Sequence, residues 1–252
     1  MRRLAGPFLS TSISLASERP AIDRETLPRV GLYLSPANML TMVAQIIPMT
    51  LVNHSWIPRD IVGGNLALEL VNTVSGWNSD PEDWVPDIAS FLVWARTCGV
   101  LDEGEQNAAA RRAKDSPAAA ERVLASVKEL RFALWRLVDS LERRKPPEPG
   151  DLSVLDEWRR RLAISEQIIV RRNKIEFTIN RDISALELPG LRVTAAALSF
   201  LKNLPTARIK TCRARDCGWK FVDQSRNRSR RWCDMAVCGN LAKTRQYRAR
   251  NS

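Results

Sequence analysis

One histidine and two tyrosines are spread through 252 residues, alongside only five cysteines and eleven glycines. The lone histidine, His54, excludes every catalytic scheme that needs two, and most zinc hydrolase sites with them. A Ser–His pair would have to recruit His54 itself, and the chain has no Gly-x-Ser-x-Gly elbow. His54 therefore reads as an exposed loop histidine, and no enzyme is expected. No stretch of eighteen residues stays apolar, so no membrane-spanning helix is expected. Arg2 and Arg3 precede an apolar stretch that Gly6, Pro7 and several Ser/Thr interrupt, which makes a poor export signal. The expectation is a cytoplasmic protein with reduced thiols. At 44% apolar residues the chain is too hydrophobic to be disordered throughout.

Acidic residues are scarce in one place only. The formal net charge is +11, but residues 1–50 carry +2, residues 51–207 carry −1, and residues 208–252 carry +10. The last 45 residues hold thirteen Lys/Arg against Asp216, Asp223 and Asp234. A positive field concentrated in this way seeks a polyanion, most often nucleic acid.

Residues 1–59 are rich in Pro and Ser/Thr without sustained periodicity and read as a poorly structured N-terminal extension. Order is expected from near Asp60, in a helical body over 60–205. Leu66, Leu70 and Val74 recur at helical spacing behind the Gly63-Gly64 pair. That pair lacks the Lys-Ser/Thr of a phosphate loop and the third glycine of a dinucleotide fingerprint. Glu69 and Asn72 could line a pocket, although polarity on one helix face explains them as well. Further helices are expected over Asp83–Thr97, Asp102–Ala113, 116–145, Asp151–Ala163 and from Pro189 to about Leu204. In the longest, Val123, Val127, Leu130, Leu134, Leu137 and Leu141 form one apolar stripe, with Arg131 and Arg136 off it. Cys98 reads as a small buried hydrophobe. Gln167–Val170 and Lys174–Ile179, flanking Arg171-Arg172-Asn173, read as a β-hairpin.

The remaining cysteines make the pattern Cys212-x4-Cys217, fifteen residues, Cys233-x4-Cys238. Two close pairs of thiolates separated by a spacer can meet around one tetrahedral Zn²⁺. A segment this short, with few large apolar side chains, can hardly fold by burial alone, and a structural metal is the usual remedy. Disulfides would need an oxidising compartment, and an iron–sulfur cluster draws on the same ligand set. Trp219 and Phe221 are expected under the metal, in a hairpin that follows a zinc knuckle. A basic loop, Ser225–Arg231, and a helix to about Arg250 come next. The architecture expected for residues 206–252 is treble-clef-like, on a protein that is otherwise mainly α with a small β-hairpin.

The run from Cys212 through Gly218-Trp219-Lys220-Phe221-Val222-Asp223 to Trp232-Cys233 and Cys238-Gly239-Asn240 resembles the CGNR zinc finger. Upstream, Gly64-Asn65-Leu66-Ala67-Leu68-Glu69-Leu70-Val71-Asn72-Thr73 is similar to the opening motif of the ABATE domain that usually precedes that finger. The fourth signature position departs from the pattern: it is Leu241, not Arg. The resemblance implies a bacterial stress-induced transcription regulator whose finger binds DNA. The residues agree with that independently. Arg226, Arg228, Arg230, Arg231, Lys243, Arg245 and Arg248 are the candidate nucleic-acid contacts, with Arg230 and Arg231 also placed to offset the charge of a Zn(Cys)₄ centre. The body would sense a small-molecule effector or form a homodimer. An RNA- or ribosome-associated zinc protein is the alternative. The finger is expected to fold apart from the body.

Overall fold

The computed structural model describes residues 49–180, 183–203 and 208–251. The expected N-terminal extension lies outside the described residues as far as residue 48. Order begins ahead of Asp60: strand β1 (Thr50–Leu51) pairs in parallel with β3 (Glu82–Asp83), and β3 pairs antiparallel with β2 (Val74–Ser75). His54 is half-buried rather than exposed. Its ring stacks on Trp84 at 3.8 Å, and its Nε2 is 2.9 Å from the Asp60 carboxylate. Neighbouring Trp56 and Trp84 supply the flat apolar surface that draws it in.

The first helix, α1 (Leu66–Val71), starts where Asn65 accepts the Ala67 N–H at 2.9 Å. Its whole length is buried apart from Leu66, including Glu69. Helix α2 (Ile88–Thr97) begins at Asp87, which caps the Ser90 N–H at 2.7 Å, not at Asp83 as expected. Pro86 holds Val85 extended, and the Asp83 carboxylate is bound by cations elsewhere. Asp102 and Glu105 close a reciprocal capping box on α3 (Glu103–Asp115). Pro117 sits in the first turn of α4 (Pro117–Glu142), but the Ser116 side chain makes no capping bond. Helix α5 (Pro149–Ser165) runs directly into β4 (Glu166–Arg171), which turns through Arg172 and Asn173, both at positive φ, into β5 (Lys174–Ile179). Helix α6 (Leu188–Lys202) completes the body.

The helices pack around one core that includes Phe91, Trp94, Leu130, Leu134, Trp158 and Leu191. The stripe of α4 faces it as its period requires, and Cys98 packs against it half-buried. One assignment on α4 needs correction. Arg131 is not off the buried side; it is 1% exposed. It reaches inward because Asp83, from β3, offers two oxygens at 2.7 and 2.9 Å.

The C-terminal stretch starts with β6 (Ile209–Thr211), antiparallel to β7 (Lys220–Val222). The hairpin frames the first cysteine pair rather than following it. One π-helical turn, Met235–Gly239, then leads into α7 (Asn240–Arg250). The described residues form one compact unit.

Candidate metal centre and its cationic surround

Cys212 leaves β6 and Cys217 precedes β7, so one hairpin presents both sulfurs. The turn between them ends at Gly218, with φ +76°, where a Cβ would lie 2.6 Å from the Trp77 Cβ. Only glycine fits there. The second pair is set by the π-helical turn: Asp234 accepts the Val237 N–H at 3.2 Å and that of Ala236, fixing the backbone between Cys233 and Cys238. At Gly239 a Cβ would be 2.4 Å from the Met235 sulfur, which accounts for the glycine after Cys238.

All four cysteines are buried, and their Sγ atoms lie within 4.8 Å of one another. Cys217 and Cys233 are 3.7 Å apart, and Cys233 and Cys238 are 3.6 Å apart. A tetrahedron with metal–sulfur bonds of about 2.3 Å has edges of about 3.8 Å, whereas a disulfide needs about 2.05 Å. The cluster therefore fits one metal ion held by four sulfurs and does not fit disulfides. Hydrogen bonds from the Cys217, Cys233 and Cys238 thiols pull the Cys212 pKa below the ordinary thiol range. Phe221 and Trp219 pack against the sulfurs as expected.

The basic residues named from the sequence divide into two groups. Arg230 turns inward: it donates to the carbonyls of Trp232, at 3.0 Å, and of Cys233, and lies 4.4 Å over the Phe221 ring. Positive charge thus sits against the backbone of a candidate metal ligand. Arg231 is exposed and lies over Trp232 at 5.6 Å. Arg245 pairs with Asp216 at 2.6 Å. Arg226 and Arg228 are exposed on the turn after β7, and Lys243 and Arg248 are exposed on α7, which has no acidic residue. Asp223 organises that turn. It accepts from the Arg230 N–H at 3.0 Å, the Ser225 hydroxyl at 2.6 Å and Lys210 Nζ at 2.6 Å. Burial alone would raise its pKa, but these bonds outweigh burial and hold it well below the usual carboxylate range.

Sequence reasoning missed the seam between the cysteine module and the body. The Asn72 side chain, at the end of α1, accepts the Lys220 N–H and donates to the Lys220 carbonyl, both at 2.9 Å. One amide thus does the work of a neighbouring strand. Val222 donates to the Gly63 carbonyl at 2.9 Å, Trp219 Nε1 to the Val74 carbonyl at 2.8 Å, and Trp77 N–H to the Cys217 carbonyl at 3.0 Å. The Lys220 ammonium is 1% exposed and donates to Asp139 at 2.7 Å, Glu142 at 2.9 Å and the Thr211 hydroxyl at 2.7 Å. The motif at 64–73 is therefore a socket for β7. Nothing local marks Lys220 as buried, because its partners come from the far end of α4.

A groove of about 620 Å³ runs along this seam, lined by Leu66, Glu69, Val222, Gln224, Arg230 and Asp234 among others. Glu69 does line it, with its carboxylate accepting the N–H groups of Gly64 at 2.9 Å and Val62 at 3.2 Å. Burial pushes its pKa up, and the bonds from Gly63, Gly64 and Val62 only partly counter that.

Two family models match the chain. The ABATE model, described as "Putative stress-induced transcription regulator", covers residues 64–178, and the CGNR zinc finger model covers residues 208–251. Comparison with curated proteins gives no match. Among the described residues no helix is long and apolar enough to cross a membrane.

Proposed function

This chain belongs to the ABATE–CGNR zinc finger family, and from that premise we propose that it is a cytoplasmic DNA-binding transcription regulator whose four cysteines hold Zn²⁺. Cys212, Cys217, Cys233 and Cys238 would hold the ion, which supplies structure and no reaction chemistry. The observation that carries the reading is the convergence of four buried sulfurs in a module whose turn after β7 and helix α7 are rich in exposed cations. A rigid cationic surface of this kind suits a phosphate backbone. Arg226, Arg228, Lys243, Arg245 and Arg248 are the proposed DNA contacts. Arg230, and Arg231 over its tryptophan, serve the finger's own architecture in this reading. Leu241 is about half exposed and leaves its signature position without a phosphate ligand; Lys243 and Arg245 on the same helix take over that role.

The test is binding of a labelled random duplex to the metal-loaded protein across a salt series. If five phosphates are neutralised, log K should fall against log salt with a slope of about −4 to −5, or about −0.9 per contact. Arg226→Ala combined with Arg228→Ala should weaken binding and flatten the slope by about two units. A salt-independent constant, or no duplex binding at low salt, would overturn the proposal. Structured RNA outcompeting duplex DNA would shift it to the RNA-associated alternative.

A further inference from the structure

The β4–β5 hairpin leaves an apolar face in water. Ile168 pairs across the strands with Phe177, and Val170 with Ile175. All four are on one face by the two-residue alternation of strands, and their exposures run from 66% to 74%. On the opposite face Ile169, Glu176 and Thr178 are half-buried, while Gln167, Arg171 and Lys174 are exposed. Four such side chains present on the order of 500 Å² of contiguous apolar surface, the upper range of what monomers leave uncovered. An isolated two-stranded ribbon is itself only marginally stable, so this face gains from a cover.

We infer that this face is the contact between two copies of the chain, packed face to face and antiparallel about a two-fold axis. The exposed row along β4 is Glu166, Ile168 and Val170, and Arg172 follows in the turn at positive φ, so charges of opposite sign lie near the two ends of the apolar patch. Neither Glu166 nor Arg172 has an ion-pair partner among the described residues. Antiparallel stacking sets Arg172 of each copy above Glu166 of the other. It also sets the smaller tip pair, Val170 and Ile175, against the larger base pair, Ile168 and Phe177. The other two-fold, along the strands, lays β4 of one copy over β5 of the other, so Glu166 falls on Ile179 and its charge stays unpaired. Pairing the hairpins edge to edge would lengthen the sheet but leave the apolar side chains of both copies in water. Doubling the face buries at most about 1,000 Å², at the threshold for a specific interface, so a reversible dimer is expected.

Sedimentation velocity of the metal-loaded full chain, without nucleic acid, tests this independently of the DNA reading. From about 1 to about 100 µM the sedimentation coefficient should move from monomer to dimer. Phe177→Glu should weaken the dimer at least ten-fold while melting and circular dichroism stay unchanged, since the side chain is exposed. Glu166→Arg and Arg172→Glu should each weaken it several-fold, and the double variant should restore it. A wild-type monomer at every concentration would overturn the proposal. A dimer indifferent to Phe177→Glu would overturn it too. Failure of the double swap to rescue would refute the antiparallel packing.

Discussion

Asp83 and Arg131 show how much one buried pair can decide. Arg131 holds both Asp83 oxygens and also reaches the Thr73 hydroxyl at 3.1 Å, while Lys128 adds a second cation at 2.9 Å. Removing one partner strands the other in the core. Asp83→Asn should therefore cost about 3–5 kcal/mol in urea unfolding. The pH dependence has a definite sign. Burial pushes the Asp83 pKa up, but the bonds from Arg131 and Lys128 overcome it and leave it below the ordinary value. A carboxylate lowered in this way contributes stability that is full above its unfolded pKa of about 3.9 and is lost as pH falls through the native value. Urea midpoints should thus drop below about pH 4, and Asp83→Asn should lessen that drop. Local pattern could not reveal this pair. By period Arg131 falls beside Val127, Leu134 and Val138, but its charge argues for the outer face, and the partner that draws it in is 48 residues away. Lys220 escaped notice for the same reason, while the four cysteines were legible because their spacing is itself the chemistry.

At the scale of elements, close approach between helices is set by small residues. A Cβ on Gly190 of α6 would lie 2.4 Å from Cη2 of Trp158 on α5. Gly190→Ala should accordingly cost about 1–3 kcal/mol through overpacking, read from thermal unfolding. Gly99→Ala, with nothing within 4 Å but φ +69°, should cost only the smaller backbone strain of a residue held left-handed, about 1 kcal/mol. Asn72→Ala should be the more damaging seam variant, because it orphans the buried N–H and carbonyl of Lys220 together. About 2–5 kcal/mol is expected, with increased sensitivity of the metal to chelators. Helix α4 and the β4–β5 hairpin were readable because their apolar periods run long enough to count. The sheet β1–β3–β2 was not, since strands of two residues carry no alternation. Asp83 was assigned to a helix for want of that signal.

For the whole molecule, the charge map and the two motifs point to a cationic finger behind a helical body, and the family models match residues 64–178 and 208–251. What they could not announce is the seam. Composition suggests a tail that folds by itself, yet Asn72, Val74, Asp139 and Glu142 of the body all bind β7 or the residues just before it. Metal removal should therefore lower the melting temperature of the entire chain in one transition, followed at 222 nm, and Cys233→Ser should behave alike. Two separated transitions, with the helical one unmoved, would show that the parts are independent.

The amide of Asn72 closes on a residue 148 positions further along the chain. A polypeptide emerging N-terminus first therefore exposes the socket long before its plug exists. During that interval the end of α1 has no partner for its buried amide, and closure waits until β7 has been made. The cysteine module is thus a latch on the maturation of the earlier-made body, and a chain truncated before β7 should be left open to proteases and chaperones.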